Sequence, residues 1–122
     1  MYCNPAVKWY AGRMNAKDTA LPPCAGLRIG DMAPDFEARS TLGPVKLSAH
    51  RGRWLVLFSH PADFTPVCTT EFVALAREAA AFEARGCGLM ALSVDSLFAH
   101  FAWLRMIRDR FGVEVRFPII ED

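Results

Sequence analysis

No feature of this chain narrows its possible folds more than the unbroken apolar run Trp54-Leu55-Val56-Leu57-Phe58-Ser59. A run of that length without alternation reads as a strand buried on both faces, at the centre of a parallel sheet. Directly after it a loop, His60 to Phe64, carries Pro61 and Asp63. Phe72, Leu75, Ala76, Ala79 and Phe82 then recur at helical spacing, and Leu89 to Val94 is a second apolar run. A second helical period, Leu97, Phe101, Leu104, Ile107 and Phe111, leads to the strand Phe117-Pro118-Ile119-Ile120. Upstream, Phe36 to Thr41 and Val45 to Ser48 flank Leu42-Gly43-Pro44, the pattern of a hairpin with a glycine-containing turn. Strands alternating with helices specify βαβ units and an α/β sheet, with right-handed connections.

The helix ends are legible too. Thr65 stands as N-cap with Pro66 in the first helical position, where a missing N–H costs nothing. Gly86 offers a left-handed stop, with Arg85 beside the negative end. Asp95 or Ser96 caps the second helix and Gly112 ends it.

Composition removes several classes. With 52% hydrophobic and 22% charged residues the chain can build a core. Its 14 basic and 13 acidic residues argue against a nucleic-acid partner. No apolar run from Leu27 onward approaches the roughly 18 residues of a membrane span. Residues 1–26 show neither helical nor strand period. They read as a mobile or loosely docked N-terminal arm, or as sequence upstream of the biological start. The folded domain is expected over 27–122. No secretory pattern opens the chain, which points to a cytoplasmic location.

Four cysteines, Cys3, Cys24, Cys68 and Cys87, form no C-x-x-C pair, and no histidine lies at zinc-finger spacing. In a reducing compartment they read as free or catalytic. Cys68 stands out. With Thr65 as N-cap it occupies the third helical position, where first-turn amides lack acceptors and the helix end carries about half a positive charge. Both favour a thiolate over a thiol, and Thr65, Thr69, Thr70 and Glu71 collar the cysteine in the polar, partly exposed setting of reactive thiols. Cys87 reads as structural, and Cys3 and Cys24 lie in the arm. Phe98, Phe101, Trp103 and Phe111 read as core and interface aromatics. Arg105, Arg108 and Arg110 with Asp109 read as a solvated face.

The stretch His60-Pro61-Ala62-Asp63-Phe64-Thr65-Pro66-Val67-Cys68-Thr69-Thr70-Glu71 resembles the active-site segment of peroxiredoxins, the alkyl hydroperoxide reductase and thiol-specific antioxidant family, with the pattern P-x-x-x-T-x-x-C. Its ends most resemble the one-cysteine subgroup. Gly30-Asp31-Met32-Ala33-Pro34-Asp35-Phe36 is similar to the family's opening G-D-x-A-P-x-F. Ser93-Val94-Asp95-Ser96 with His100 and Trp103 is similar to its S-V-D-S…H-x-x-W segment, and Phe117-Pro118-Ile119-Ile120 to the following strand.

The resemblance implies a thioredoxin-like fold of peroxiredoxin type and a thiol-dependent peroxidase. Cys68 would be the peroxidatic nucleophile, Thr65 would hold peroxide and thiolate, and Pro61 would shield the site. His60 and Glu71 would support it, His60 near the thiolate and Glu71 by orienting polar groups. No cofactor or metal is implied. The partners implied are a hydroperoxide substrate, an external thiol reductant and further copies of the chain, in a homodimer or larger ring. The family's catalytic arginine falls well beyond the Phe117–Ile120 strand, and the chain stops at Asp122. Arg51, Arg53 and Arg116 lie outside the motif and inherit no such role. The fold is therefore expected to be incomplete at its C-terminus, with the edge of the Leu55–Phe58 strand standing open. The alternative reading is a catalytically impaired fragment acting as a peroxide sensor or partner-binding module.

Overall fold

In the computed structural model, residues 26–122 are described. The expectations for the arm, and for Cys3 and Cys24 in it, lie outside the described residues apart from Gly26. The chain divides into two units between Pro34 and Asp35. In the first, a turn forms where Asp31 N–H donates to the Arg28 carbonyl and Arg28 N–H to the Asp31 carboxylate.

The second unit carries the sheet and both helices. Its elements are β1 (Glu37–Ser40), β2 (Gly43–Lys46), a 3-10 turn (Leu47–His50), β3 (Trp54–Ser59), α1 (Pro66–Ala84), β4 (Cys87–Ser93), α2 (Leu97–Phe111) and β5 (Ile119–Glu121). The five strands lie in the order β2-β1-β5-β4-β3. β3, β4 and β5 run parallel, and the β1–β2 hairpin joins antiparallel to β5 through Ser40 and Ile120. The α/β architecture is thus as the alternation of patterns requires.

The hairpin turns one step earlier than the Leu42-Gly43-Pro44 reading. Ser40 pairs with Gly43, so Thr41 and Leu42 make the turn and Pro44 already lies in β2 opposite Arg39. Gly43 sits at φ 102°, a conformation that a side chain would strain. The Ser40 hydroxyl closes the turn, donating to the Gly43 carbonyl at 2.6 Å and accepting from Leu42 N–H.

The main core lies on one face of the sheet. It combines Cys68, Phe72 and Val73 of α1, Leu89 and Ala91 of β4, Trp103 and Ile107 of α2, and Phe117 and Ile119 around β5. Both helices therefore pack on the same face. Successive crossovers of one hand produce this when the strand order advances steadily from β3 to β4 to β5.

Two expectations need correction. First, β3 is an edge strand among the described residues, not a central one buried on both faces: Trp54 is 80% exposed, Val56 39% and Leu57 42%. An apolar run reports that a strand suits a covered position, whereas burial depends on non-local neighbours, and β3 has a neighbour only on its β4 side. Its outer edge stands open, as expected from the resemblance. Second, α2 does not bury Phe101 or Phe111; both are exposed, as is Phe98, and the buried residues are His100, Trp103 and Ile107. Large apolar side chains suggested one helical stripe. The inward stripe is instead set by a buried histidine and an indole that both find hydrogen-bond partners, which a hydrophobicity pattern cannot register.

The helix ends match their local signals. Thr65 is the α1 N-cap by backbone geometry and Pro66 is its first residue. At the other end Gly86 takes φ 70°, and the Arg85 guanidinium donates to the Ala81 carbonyl at 2.8 Å. Ser96, rather than Asp95, caps α2, its hydroxyl accepting from Ala99 N–H, and Gly112 ends the helix in the left-handed region. β4 begins at Cys87, two residues ahead of the expected Leu89.

Candidate active site

The site is built where the loop after β3 meets the start of α1, at the C-terminal ends of the parallel strands, the usual position for ligand sites on sheets of this kind. Cys68 is the third residue of α1, as expected from Thr65 and Pro66. Its placement departs from expectation in one respect: at 5% exposure it belongs to the core rather than to a partly exposed end. The reason is helical geometry. Cys68 and Phe72 lie four residues apart on the face that α1 turns to the sheet, and Phe72 is buried at the centre of the aromatic cluster.

Thr65 is half-buried. Its hydroxyl does not cap α1 as a side chain; it donates to the Ala62 carbonyl at 3.0 Å, while the Thr65 carbonyl accepts from Thr69 N–H at 2.9 Å and from the Thr69 hydroxyl at 2.7 Å. A short loop with a carbonyl three residues back draws the hydroxyl away from the first-turn amides. Between the two anchored residues Asp63 and Thr65, Phe64 is held at φ 61°, the left-handed region that costs a non-glycine residue roughly 1–2 kcal/mol. Backbone strain of this sort persists where neighbours over-determine it.

Pro61 is exposed on the loop beside a cleft of about 400 Å³, lined by Ser59, His60, Pro61, Leu92, Ser93 and Val94. Glu71 points outward on α1, with no hydrogen-bond partner among the described residues. A larger hollow of about 750 Å³ lies at the opposite end of the sheet, near Cys87, Arg53, Arg77 and Arg116, far from the Cys68 turn in the topology. Cys68 lines neither opening.

His60 is buried, and the structure surrounds it with groups whose role the sequence did not disclose. Its Nε2 lies 2.8 Å from one Asp63 carboxylate oxygen, and the other oxygen lies 2.7 Å from Nδ1 of His100 on α2. All three side chains are essentially sealed from solvent. Asp63 N–H donates to the Asp95 carboxylate at 2.6 Å, and Asp95 is tied to Ser93 at the end of β4. The His60 ring packs against Phe72 and Trp103, at centroid distances of 4.9 and 5.1 Å. Trp103 Nε1–H donates to the Thr69 hydroxyl at 3.1 Å. In the sequence Asp63 is a loop residue with no assigned role, His100 appears only within a family resemblance, and Trp103 reads as a core aromatic. The available signal was the spacing His60-x-x-Asp63 followed by a second histidine on the apolar side of a helix.

A sequence profile of the AhpC/TSA family matches residues 29–122. The chain belongs to the AhpC/TSA family. Similar members include Peroxiredoxin 2 of Thermoplasma acidophilum, 53% identical over 94 residues, and a peroxiredoxin of Aquifex aeolicus, 57% identical over 96 residues. The aligned parts cover 77% and 78% of this chain but 47% and 43% of those relatives, so the chain spans less than half their length. Among solved members, a yeast mitochondrial 1-Cys peroxiredoxin superposes with a TM-score of 0.75 at 44% identity, covering 80% of this chain and 46% of that one. A Plasmodium vivax 2-Cys peroxiredoxin superposes with a TM-score of 0.68 at 32% identity, covering 76% and 61%. Membership in the AhpC/TSA family carries with it the thioredoxin-like fold expected from the four sequence blocks. No helix among the described residues is long and apolar enough to cross a membrane.

Proposed function

We propose that this chain carries the peroxide-reducing centre of a thiol-dependent peroxidase, with Cys68 as the nucleophile. The observation that carries the reading is the position of Cys68 in the first turn of α1, with its neighbour Thr69 and its helix-face partner Phe72 packed against the buried His60 cluster. The Cys68 thiolate attacks the terminal oxygen of a hydroperoxide. An S–O bond forms, the O–O bond breaks, and the departing oxygen takes a proton to leave as water or an alcohol. The sulfur becomes a sulfenic acid, and two equivalents of an external thiol return it to the thiol, yielding a disulfide and water.

Thr65 has a specific part in this scheme. Its one proton is directed to Ala62, which leaves the oxygen lone pairs to accept from the hydroperoxide O–H. Pro61 shields the cleft, His60 supports the reacting sulfur, and Glu71 orients polar groups brought to the outer face. The partners are a hydroperoxide, a small or protein thiol and further copies of the chain, and the setting is cytoplasmic.

The test is rapid mixing of reduced protein with hydrogen peroxide, with trapping of sulfenic acid and its location by mass spectrometry. Expected are modification at Cys68 ahead of Cys87, turnover when a thiol is supplied, and oxidation slowed about a hundredfold in Thr65→Val. Modification of Cys87 first would overturn the assignment. Oxidation of Cys68 without turnover would select the sensor reading.

A further inference from the structure

The two histidines flanking Asp63 are not equivalent, and their difference points to a role for His100. An Asp63 carboxylate whose two oxygens face one ring nitrogen each requires both nitrogens to carry hydrogen. For His60 the donor is Nε2, and for His100 it is Nδ1. In the neutral rings the opposite nitrogens, His60 Nδ1 and His100 Nε2, are therefore acceptors. These are also the buried side-chain nitrogens without a hydrogen-bond partner among the described residues. A buried polar atom left unpaired is costly, and its retention requires a surrounding structure that leaves the ring no alternative orientation.

That surrounding structure is visible. Phe72 and Trp103, their own ring centroids 4.5 Å apart, pack against the His60 ring and restrict its tilt, but not a half-turn about χ2, which would put carbon where each nitrogen stands. The bond to Asp63 fixes the ring's orientation and keeps the proton on Nε2. Asp63 in turn is fixed at three points: its backbone N–H by Asp95, one carboxylate oxygen by His60, the other by His100. Removal of the His100 donor would leave a buried oxygen free and the carboxylate able to rotate. α2 then grips the start of α1 through two adjacent turns, His100 to Asp63 and Trp103 to Thr69.

We propose that His100 is a positioning residue. Acting through Asp63, it holds His60 as the Nε2–H tautomer, so that the buried Nδ1 is left as the proton-accepting nitrogen. The kinetic consequence rests on the peroxidase reading; the tautomer itself does not.

The experiment uses the full reduced chain, labelled with nitrogen-15, and reads each histidine tautomer from long-range proton–nitrogen correlation spectra. Cys68 oxidation by hydrogen peroxide is followed in parallel. The parent should show His60 protonated on Nε2 and His100 on Nδ1. His100→Phe keeps a ring but loses the donor. It should give mixed tautomers at His60 and slow Cys68 oxidation by roughly tenfold, about the worth of one charge-assisted hydrogen bond. His100→Asn places an N–H where Nδ1 stood and should restore both readouts. A parent His60 protonated on Nδ1, or an unchanged His60 spectrum in folded His100→Phe, overturns the proposal. If His100→Phe does not fold, the parent and His100→Asn decide: mixed His60 tautomers in the asparagine variant overturn it, and the parental pattern supports it. Tautomers as expected with a parent Cys68 inert to peroxide would leave the positioning intact and sink the peroxidase reading alone.

Discussion

β3 and β4 lie side by side over six paired positions, and both read in the sequence as strands meant for a covered sheet. Their fates differ position by position. Val56 pairs with Leu89 and shares its face, yet it is 39% exposed against 7%. Leu57 pairs with Met90 and shares the other face, at 42% against 0%. The strand-forming preference is the same; the difference lies in what packs beside and above. β4 has a strand on both sides and two helices over one face, whereas β3, among the described residues, has β4 alone. β3 is half-covered at two positions, Leu55 and Phe58, and at the second, near the site, Phe58 meets Phe72 and Phe117 edge-on. The same sheet is thus tightly enclosed beside Cys68 and open at its far rim.

Truncation of the paired residues tests this contrast most severely. Leu89→Ala should cost about 3 kcal/mol in urea-induced unfolding, the usual loss for a buried leucine. Val56→Ala should cost less than about 1 kcal/mol, because solvent already reaches the removed methyls. Equal losses would show that β3 is covered in solution. A smaller effect on folding, with a clear effect on association, is expected at the rim. Trp54→Lys should leave stability within about 0.5 kcal/mol and reduce self-association in sedimentation velocity, since a lysine on an open edge discourages strand pairing. Unchanged association would mean that the open edge is not where copies meet.

The smallest effect belongs to the hairpin side of the sheet. The Ser48 side chain, then its backbone N–H at 2.7 Å, holds the Asp35 carboxyl below its ordinary value of 3.8. A carboxyl whose folded value is depressed contributes stability that is complete above the unfolded value and is lost as pH falls through the folded one. Stability curves below pH 3.8 should therefore fall slightly less steeply in Asp35→Asn than in the parent. Identical acid limbs would show that Asp35 has no part in the acid response.

What the sequence made legible was local. Thr65-Pro66, Ser96 and Gly112 mark helix ends because each acts on backbone groups within a turn of itself. Cys68 was identifiable for the same reason, its position in the helix being fixed by its distance to a cap. The exposure of β3, the inward turn of His100 and the burial of Cys68 depend on segments meeting across the sheet. Asp63 and His100 are 37 residues apart, and Trp103 and Thr69 are 34 apart. No window of helical or strand period contains both members of either pair. The hydrophobic pattern moreover favours Phe101 and Phe111, which lie outside, over a histidine whose burial becomes tolerable only once Asp63 is in reach.

The bond from the Trp103 indole to the Thr69 hydroxyl also gives the molecule an optical signal. Trp103 is sealed in the core, while Trp54 is 80% exposed, so in a Trp9→Phe variant added iodide quenches Trp54 and spares Trp103. The spared emission comes from a ring whose one polar contact is the residue after Cys68. A change of state at the sulfur that shifts the first turn of α1 alters the length of that contact, and with it the colour and intensity of the buried indole. The proposed oxidation of Cys68 can in this way be tested without a label, through a reporter already seated against the helix that carries it.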